Sequence, residues 1–183
     1  MPTNAFSEDP TWAASRVLQV TVRLGYQPRT MRIAEFLKVE AVTPALSAGT
    51  KVDVLRQLAQ ALARAWPQVT EARFMQVLEE REKLGSTGME KGVAIPHGRL
   101  AELPTLIACF GVSREGVDFE ARDGRPSQFF FALVAPENSA GLHLKALSRL
   151  SRLFRSDQLK DNILAATDAR AVHELLLQED SKA

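Results

Sequence analysis

The sequence has little of several features that would narrow its function at once. Among 183 residues there is one cysteine, Cys109, so the chain cannot form an internal disulfide bond. The formal net charge is +1, which gives no field that would attract nucleic acid or an anionic lipid surface. No apolar run reaches the roughly 18 residues that cross a bilayer, and the N-terminus lacks the apolar segment of a signal peptide. We therefore expect a cytoplasmic protein with no nucleic-acid partner and no membrane insertion.

Motifs for metals and nucleotides are also missing. Zinc sites use several His, Cys or carboxylate ligands at short spacings, and the sequence has no H-x-x-x-H or C-x-x-C motif. Cys109 lies in the apolar run LIACFGV, which favours a small core residue over a metal ligand or a reactive thiol. The glycine-rich segment KLGSTGMEKG lacks the Lys-Ser or Lys-Thr pair of a nucleotide-binding P-loop. The sequence therefore predicts no metal and no cofactor.

The chain divides into three parts by pattern. Residues 1–30 are interrupted by three prolines and contain one strand-like run, RVLQVTV. We expect an N-terminal extension there, either poorly ordered or adding a short strand. Residues 31–178 carry the regular patterns of a single domain with its own core, and residues 179–183 are expected to form a C-terminal tail.

Two amphipathic helices are predicted before the glycine-rich segment. After Thr50, apolar residues recur with the period of a helix, and Thr50 with Asp53 resembles a capping box. Pro67 is expected to end this helix. Thr70 can then cap a second helix, whose buried stripe includes Phe74.

Strands are predicted after the glycine-rich segment, and helices after the strands. VAI is a short candidate strand, and the longer runs LIACFGV and QFFFALVA are nearly continuous in apolar residues, as is typical of strands covered on both faces. GVDFEA alternates like an edge strand. From about Leu142 to Leu177 we expect two or three helices, with breaks near Ser156 and Thr167. The fold class is therefore α/β, with helices on both faces of one sheet.

Histidine is scarce, with three in the chain, and His97 has the most unusual setting. It follows the strand-like VAI run and stands between Pro96 and Gly98. The proline restrains Ile95 to an extended conformation, and the glycine leaves space for another molecule to approach closely. This pattern indicates a side chain presented for chemistry with a large partner, although a loop histidine without a task is the alternative.

Two further polar residues are predicted to face inward. His143 shares a helical stripe with Ala146 and lies near the start of its helix, where a satisfied core histidine is the alternative interpretation. Arg81 continues the stripe of Phe74, and a buried guanidinium is costly unless an anion or acceptor meets it. A small drift of the helix would instead put it in solvent. His173 is predicted to lie on a helix surface.

Taken together, His97, His143 and Arg81 favour phosphoryl chemistry. A neutral imidazole is a nucleophile near pH 7, and a second imidazole can donate an N–H group to the phosphoryl group. An arginine can neutralise the charge on the phosphoryl oxygens.

A resemblance to a known family is carried by three segments, EEREKLGSTGMEKGVAIPHGRL, DFEARDGRPSQFFFALVAPE and HLKALSRLSRLFR. Together they resemble the enzyme IIA domain of the phosphoenolpyruvate-dependent phosphotransferase system, fructose/mannitol type, nearest to its nitrogen-regulatory branch. The resemblance covers roughly Met31 to Leu177. It implies a mixed sheet with helices on both faces and an enzyme that transfers a phosphoryl group between proteins. By this resemblance, His97 is the phosphorylated nucleophile, His143 the second active-site histidine and Arg81 the residue that stabilises phosphoryl charge.

The same resemblance implies the partners. The donor would be an HPr-like phosphocarrier, with no metal or nucleotide in the step. We favour a regulatory phosphoprotein that acts on a potassium transporter or a sensor kinase. A sugar-specific enzyme IIA that passes the phosphoryl group to an enzyme IIB is the alternative, a non-catalytic binding module is less favoured, and a homo-oligomer is left open. One departure from the family's STGIGxGVAIPHG pattern places Glu90 and Lys91 in the predicted active-site loop.

Overall fold

A computed structural model describes residues 31–182 of the chain. The extension predicted for residues 1–30, with its candidate strand RVLQVTV, lies outside the described residues. A 3₁₀ turn at Ile33–Glu35 opens the described part. Its α-helices are α1 (Lys51–Ala65), α2 (Glu71–Glu82), α3 (Ala140–Leu153), α4 (Asp157–Ala165) and α5 (Ala169–Asp180).

One five-stranded mixed sheet forms the centre of this domain. Strand β4 runs antiparallel to β5, β1 runs parallel to β4, and both β2 and β3 run parallel to β5. The mixed sheet that the resemblance implied is thus confirmed. The strands are β1 (Leu37–Thr43), β2 (Val93–Ala94), β3 (His97–Leu100), β4 (Ile107–Val117) and β5 (Ser127–Pro136).

Helices cover both faces of the sheet, as predicted. Cys109 and Phe110 are neighbours in β4, so their side chains point to opposite faces. The Cys109 thiol reaches the carbonyl oxygen of Leu58 in α1 at 3.3 Å. The ring of Phe110 stacks at 5.7 Å on that of Phe154, at the end of α3. Burial raises the pKa of the Cys109 thiol, which agrees with its interpretation as a core residue.

Side-chain caps start the helices mostly where the sequence predicted them. Thr50 begins α1 and Thr70 begins α2, each accepting a hydrogen bond from the backbone N–H three residues later. Ser156 caps α4 in the same way. The break expected near Thr167 is confirmed, since α4 ends at Ala165 and α5 begins at Ala169, with Asp168 as the capping residue.

The predicted strand GVDFEA is wrong beyond its first two residues. Gly116 and Val117 end β4, and the rest of the run lies in the loop before β5. Phe119 is buried there because its ring packs against that of Phe130 at 5.3 Å. A buried loop aromatic therefore produced the apparent alternation. Strand β1, by contrast, was not among the predicted strands.

The end of the chain is more ordered than the predicted tail. Helix α5 continues through Asp180, inside residues 179–183, and the Asp180 side chain is buried. Its carboxylate accepts hydrogen bonds from the backbone N–H of Ile33 at 2.9 Å and from the guanidinium of Arg149 in α3. His173 also differs from its prediction as a surface residue, since its Nε2 lies 3.1 Å from the carbonyl oxygen of Leu37.

The position of His97 is set by a broken strand. Strand β2 ends at Ala94, and the chain resumes at His97 as β3, pairing His97 with Leu133 of β5. His97 is therefore the first residue of a strand rather than a loop residue. Gly98 follows, and helix α2 lies so close that a Cβ atom at this position would be 2.2 Å from Cγ1 of Val77. Only a residue without a side chain allows this contact.

We expect Gly98→Ala to lower the free energy of unfolding by about 1 to 3 kcal/mol, since overpacking must displace the β-branched side chain of Val77 or shift α2. Denaturant unfolding measures the change. Gly141→Ala is the matched control, because a Cβ atom there has nothing within 4 Å. The double variant Val77→Ala with Gly98→Ala should recover part of the loss. Equal stability of the Gly98 and Gly141 variants would contradict this packing.

Candidate functional site

A cavity of about 500 Å³ opens where α2, β3 and α3 meet. It brings together the three residues that the sequence singled out. His97 lies 16 positions after Arg81 in the sequence, and His143 lies 46 positions after His97. Apolar and charged groups share its wall. The lining residues are Val77, Glu80, Arg81, Leu84, His97, Gly98, Arg99, Ala140, His143, Leu144 and Leu147.

Hydrogen bonds define the tautomer of His97. Its Nδ1 lies 2.8 Å from the carbonyl oxygen of Ile95. A carbonyl oxygen only accepts hydrogen bonds, so the imidazole proton of the neutral ring is on Nδ1. The other nitrogen, Nε2, then carries the lone pair and accepts a hydrogen bond from Nε of Arg81 at 3.1 Å. The geometry therefore makes Nε2 the nucleophilic nitrogen of His97.

Arg81 is oriented by the end of its own helix. It lies in the last turn of α2, and its Nη1 donates to the carbonyl oxygen of Gly85 at 2.9 Å. This second bond fixes the plane of the guanidinium while Nε faces His97. Several N–H groups remain on the guanidinium, and these can bind an anionic oxygen in the cavity.

His143 meets His97 from the opposite wall. It lies in the first turn of α3, and the two rings contact edge to face with centroids 5.2 Å apart. The side chain is buried, and its Nδ1 has no hydrogen-bond partner among residues 31–182. The positive end of the α3 dipole also faces the cavity through Ala140, the first residue of the helix. This wall therefore favours a neutral imidazole and an incoming anion.

Burial keeps both imidazoles neutral near pH 7. It is the main cause that lowers the pKa of His97, with the charges of Arg81 and Arg99 adding to it and the hydrogen bond to Ile95 opposing it. The pKa of His143 is lowered to about 4, first by burial and then by His97 and the two arginines. A neutral imidazole thus stands beside two arginines, an arrangement that suits an incoming phosphoryl group.

The cavity residues that sequence reasoning missed include one charged side chain of β3 and two leucines of the rim. Arg99 follows His97 by two positions in β3, so both side chains lie on one face of the strand, and this spacing could have identified it. Leu84 and Leu144 are large apolar side chains at the rim, with 85% and 68% of their surface exposed. They could have been noticed as leucines outside the buried stripes of their segments.

Glu90 and Lys91 lie elsewhere than the sequence predicted. They line a separate cavity, which includes Phe154 and Arg155 and none of the residues around His97. Lys91 adopts a left-handed backbone conformation with φ of 62°, and its N–H donates to the Asp123 carboxylate at 2.9 Å. Glu90 and Lys91, where the sequence departs from the family pattern, are therefore not part of the cavity wall around His97.

Within residues 31–182 the structure has neither a cluster of metal-ligating side chains nor a membrane-spanning helix. No three His, Cys, Asp or Glu side chains in this part of the chain come together as a metal site requires. Its helices also include none that is long and apolar enough to cross a bilayer.

Relatives of known family match nearly all of the described domain. The profile of the family described as "Phosphoenolpyruvate-dependent sugar phosphotransferase system, EIIA 2" matches residues 35–179. A nitrogen regulatory protein of Bradyrhizobium diazoefficiens is 40% identical over 146 residues, which are 80% of this chain and 95% of that protein. A nitrogen regulatory protein of Pseudomonas aeruginosa is 34% identical over 129 residues, covering 70% and 84% respectively. The fructose-specific EIIABC component of Bacillus subtilis is 31% identical over 82% of this chain and 24% of its own length.

Solved structures agree with these relatives. The crystal structure of the nitrogen regulatory protein IIA-Ntr from Neisseria meningitidis is 35% identical with a TM-score of 0.73, covering 79% of this chain and 98% of that chain. The IIA mannitol structure from Escherichia coli has a TM-score of 0.65 at 22% identity, covering 76% and 97%, and shows a similarity of fold. The resemblance drawn from the sequence is thus confirmed, and the chain belongs to the EIIA type 2 family of the phosphoenolpyruvate-dependent sugar phosphotransferase system.

Proposed function

We propose that this chain is a nitrogen-type EIIA regulatory phosphoprotein that accepts a phosphoryl group on His97 from an HPr-like phosphocarrier. Members of its family are components of a phosphotransferase system. The observation that carries the proposal is the unprotonated Nε2 of His97, directed at the guanidinium of Arg81 in an open cavity. The nitrogen regulatory relatives match this chain over most of their own length, which favours the regulatory branch.

Transfer would proceed by exchange of one P–N bond for another. The Nε2 lone pair of His97 attacks the phosphorus of the carrier's phosphohistidine, whose ring carries a proton on its other nitrogen. The carrier's ring then leaves as neutral imidazole with the electron pair of the broken P–N bond. The proton on Nδ1 of His97 stays in place, and its bond to the Ile95 carbonyl stabilises the positive charge that the ring gains. No proton has to leave the site. The protein's task is therefore to position the ring and to stabilise phosphoryl charge.

Arg81 has two successive partners in this mechanism. In the free protein its Nε binds Nε2 of His97, so this hydrogen bond must break before Nε2 can attack. The released N–H then lies next to the phosphoryl oxygens. His143 can donate its one N–H to the same group, and Arg99 adds positive charge from the strand. The negative charge of the transferred group is thus met on several sides.

The rim of the cavity suits a protein as donor. Leu84 and Leu144 are strongly exposed, and Leu147 and Val77 continue this apolar surface into the cavity. Exposed apolar side chains around a polar centre are typical of protein interaction sites. A phosphocarrier that covers this rim would also exclude water from the transferring group.

The downstream partner distinguishes two functions. In the regulatory function, the phosphorylation state of His97 determines binding to a potassium transporter or a sensor kinase. The second candidate is a sugar-specific EIIA that passes the group to an enzyme IIB, and the 31% identity to a fructose-specific EIIABC component favours keeping it. Transfer from the phosphorylated protein to a purified enzyme IIB of the fructose or mannitol type would support this second function.

We expect the protein to take up one acid-labile phosphoryl group on Nε2 of His97. The test incubates it with phosphoenolpyruvate, an enzyme I and an HPr-like carrier, followed by peptide mapping and NMR identification of the phosphorylated nitrogen. His97→Ala should abolish the uptake, whereas the control His173→Ala should retain it. A group on His143 or His173, with His97 unmodified, would show that the nucleophile has been assigned wrongly.

Arg81→Ala and His143→Ala should each slow single-turnover phosphorylation of His97 by at least about 10-fold, the scale of losing one positioned donor. Arg73→Ala, an exposed arginine earlier in α2, and His173→Ala are the matched controls. Melting temperatures are measured on the same samples. Large destabilisation with unchanged transfer would mean that these side chains support the fold and not the reaction.

The pH dependence follows from the lowered pKa values. His143 should titrate at about 4 by NMR, so its protonation should not change the transfer rate between about pH 6 and about pH 8. Its native pKa lies below the ordinary value of 6.5, so its contribution to stability is complete above pH 6.5 and is lost as the pH falls toward 4. His143→Ala should therefore lose less stability between pH 7 and pH 5 than the unmodified protein. An equal loss in both would contradict the burial of a neutral imidazole.

A further inference from the structure

A buried carboxylate follows the arginine of the site. Glu82 is the last residue of α2, and its side chain is only 6% exposed. An ionised carboxylate is almost never buried without partners, because removing it from water is costly. The proposed reaction does not use this group directly, since it is absent from the wall of the cavity around His97. Its burial therefore needs another explanation.

Three groups satisfy the Glu82 carboxylate. Nζ of Lys51, the first residue of α1, lies 2.8 Å from Oε1. The backbone N–H of Thr87 donates to the same oxygen at 3.0 Å, and the Thr87 hydroxyl donates to Oε2 at 2.5 Å. Charge-assisted bonds of this kind are stronger than neutral ones. Glu82 thus anchors Thr87, in the glycine-rich loop, to the end of a helix.

From Thr87 the hydrogen bonds continue to the nucleophile. The carbonyl oxygen of Thr87 accepts from the N–H of Ile95 at 3.1 Å. The carbonyl oxygen of Ile95 accepts from Nδ1 of His97 at 2.8 Å. Pro96, between these two residues, has a fixed φ, so a shift of Ile95 is passed on to His97. The carboxylate and the reacting ring are therefore joined by two intervening residues.

The two last residues of α2 thus act on the two nitrogens of one ring. Arg81 binds Nε2 directly, and Glu82 reaches Nδ1 through Thr87 and Ile95. The hydrogen bond from Arg81 and the hydrogen-bond chain from Glu82 both start at the C-terminal end of α2. Together they fix the position and the tautomer of the imidazole. A ring that lost its Nδ1 acceptor could place its proton on Nε2, and it would then have no lone pair at the attacking position.

We propose that Glu82 is a positioning residue for His97: its buried carboxylate holds Thr87 and Ile95 in place, so that the imidazole proton stays on Nδ1 and Nε2 is free to attack. The proposal rests on the proposed function for its effect on rate. Its effect on the tautomer can be measured without any phosphoryl transfer. The Lys51 ammonium balances the negative charge of Glu82, and it also lies 3.2 Å from the Glu120 carboxylate. It therefore keeps an acidic partner in the Glu82→Gln variant.

The first test compares Glu82→Gln with the unmodified protein. Imidazole ¹⁵N chemical shifts of unphosphorylated His97 should show that the fraction of rings with the proton on Nε2 has increased. Single-turnover phosphorylation at saturating HPr-like carrier should slow by at least about 10-fold, while the half-saturating carrier concentration stays unchanged. Glu79→Gln, which removes the same charge from the same helix, is the control and should alter neither quantity.

A second pair of variants decides the matter if Glu82→Gln does not fold. Thr87→Val keeps the shape of threonine and removes the hydroxyl bond to Glu82, whereas Thr87→Ser keeps that bond. Valine should shift the His97 tautomer and slow transfer, and serine should restore both. Unchanged ¹⁵N shifts and rates in the folded variants would overturn the proposal. An unmodified protein that takes up no phosphoryl group would instead refute the proposed function, and the ¹⁵N shifts would still decide the role of Glu82.

Discussion

The hydrogen bond between Nδ1 of His97 and the carbonyl oxygen of Ile95 is the interaction on which the chemistry of this site depends. A free imidazole exchanges its proton between two nitrogens, and each tautomer presents a different nucleophile. In His97 the carbonyl oxygen of Ile95, two residues earlier, lies 2.8 Å from Nδ1 and selects the tautomer with the proton on Nδ1. The reacting nitrogen and the proton balance of the proposed transfer both follow from this one contact.

The close contact of helix α2 with strand β3 brings the other groups to that ring. Gly98 lets Val77 lie directly against the strand, and Arg81 follows Val77 by one helical turn. The ring of His143, carried by α3, contacts the ring of His97 edge to face. The packing of α2 and α3 against the sheet therefore brings Arg81 and His143 to His97.

Much of the fold and the site could be predicted from the sequence, because apolar residues recur with the period of a helix or a strand where one face of that element is buried. The caps at Thr50 and Thr70 and the apolar strands β4 and β5 were predicted this way, and so was the inward direction of Arg81 and His143, as polar residues on apolar stripes. Strand β1 was not predicted, because Ala41 and Val42 are buried consecutively and its pairing with β4 is irregular.

What could not be predicted depends on contacts between segments distant in sequence. Phe119 lies in a loop and is buried because its ring packs against that of Phe130. The alternation of apolar and polar residues around it therefore wrongly indicated a strand. The acceptor of His173 is a carbonyl group 136 residues away in the sequence. The sequence identifies Pro96 as a restraint on the backbone before His97, but the hydrogen bond from Nδ1 of His97 to the carbonyl oxygen of Ile95 could be seen only in the structure.

The location of β3 determines how a phosphorylated state could be read by another molecule. Within the described domain β3 pairs with β5 alone, so His97 lies at the margin of the sheet and away from its centre. A phosphoryl group there would add a charge of about −1.5 to −2 to a surface that now presents arginines between exposed leucines. Phosphorylation would lower the local surface potential, a difference that a partner can distinguish by electrostatics.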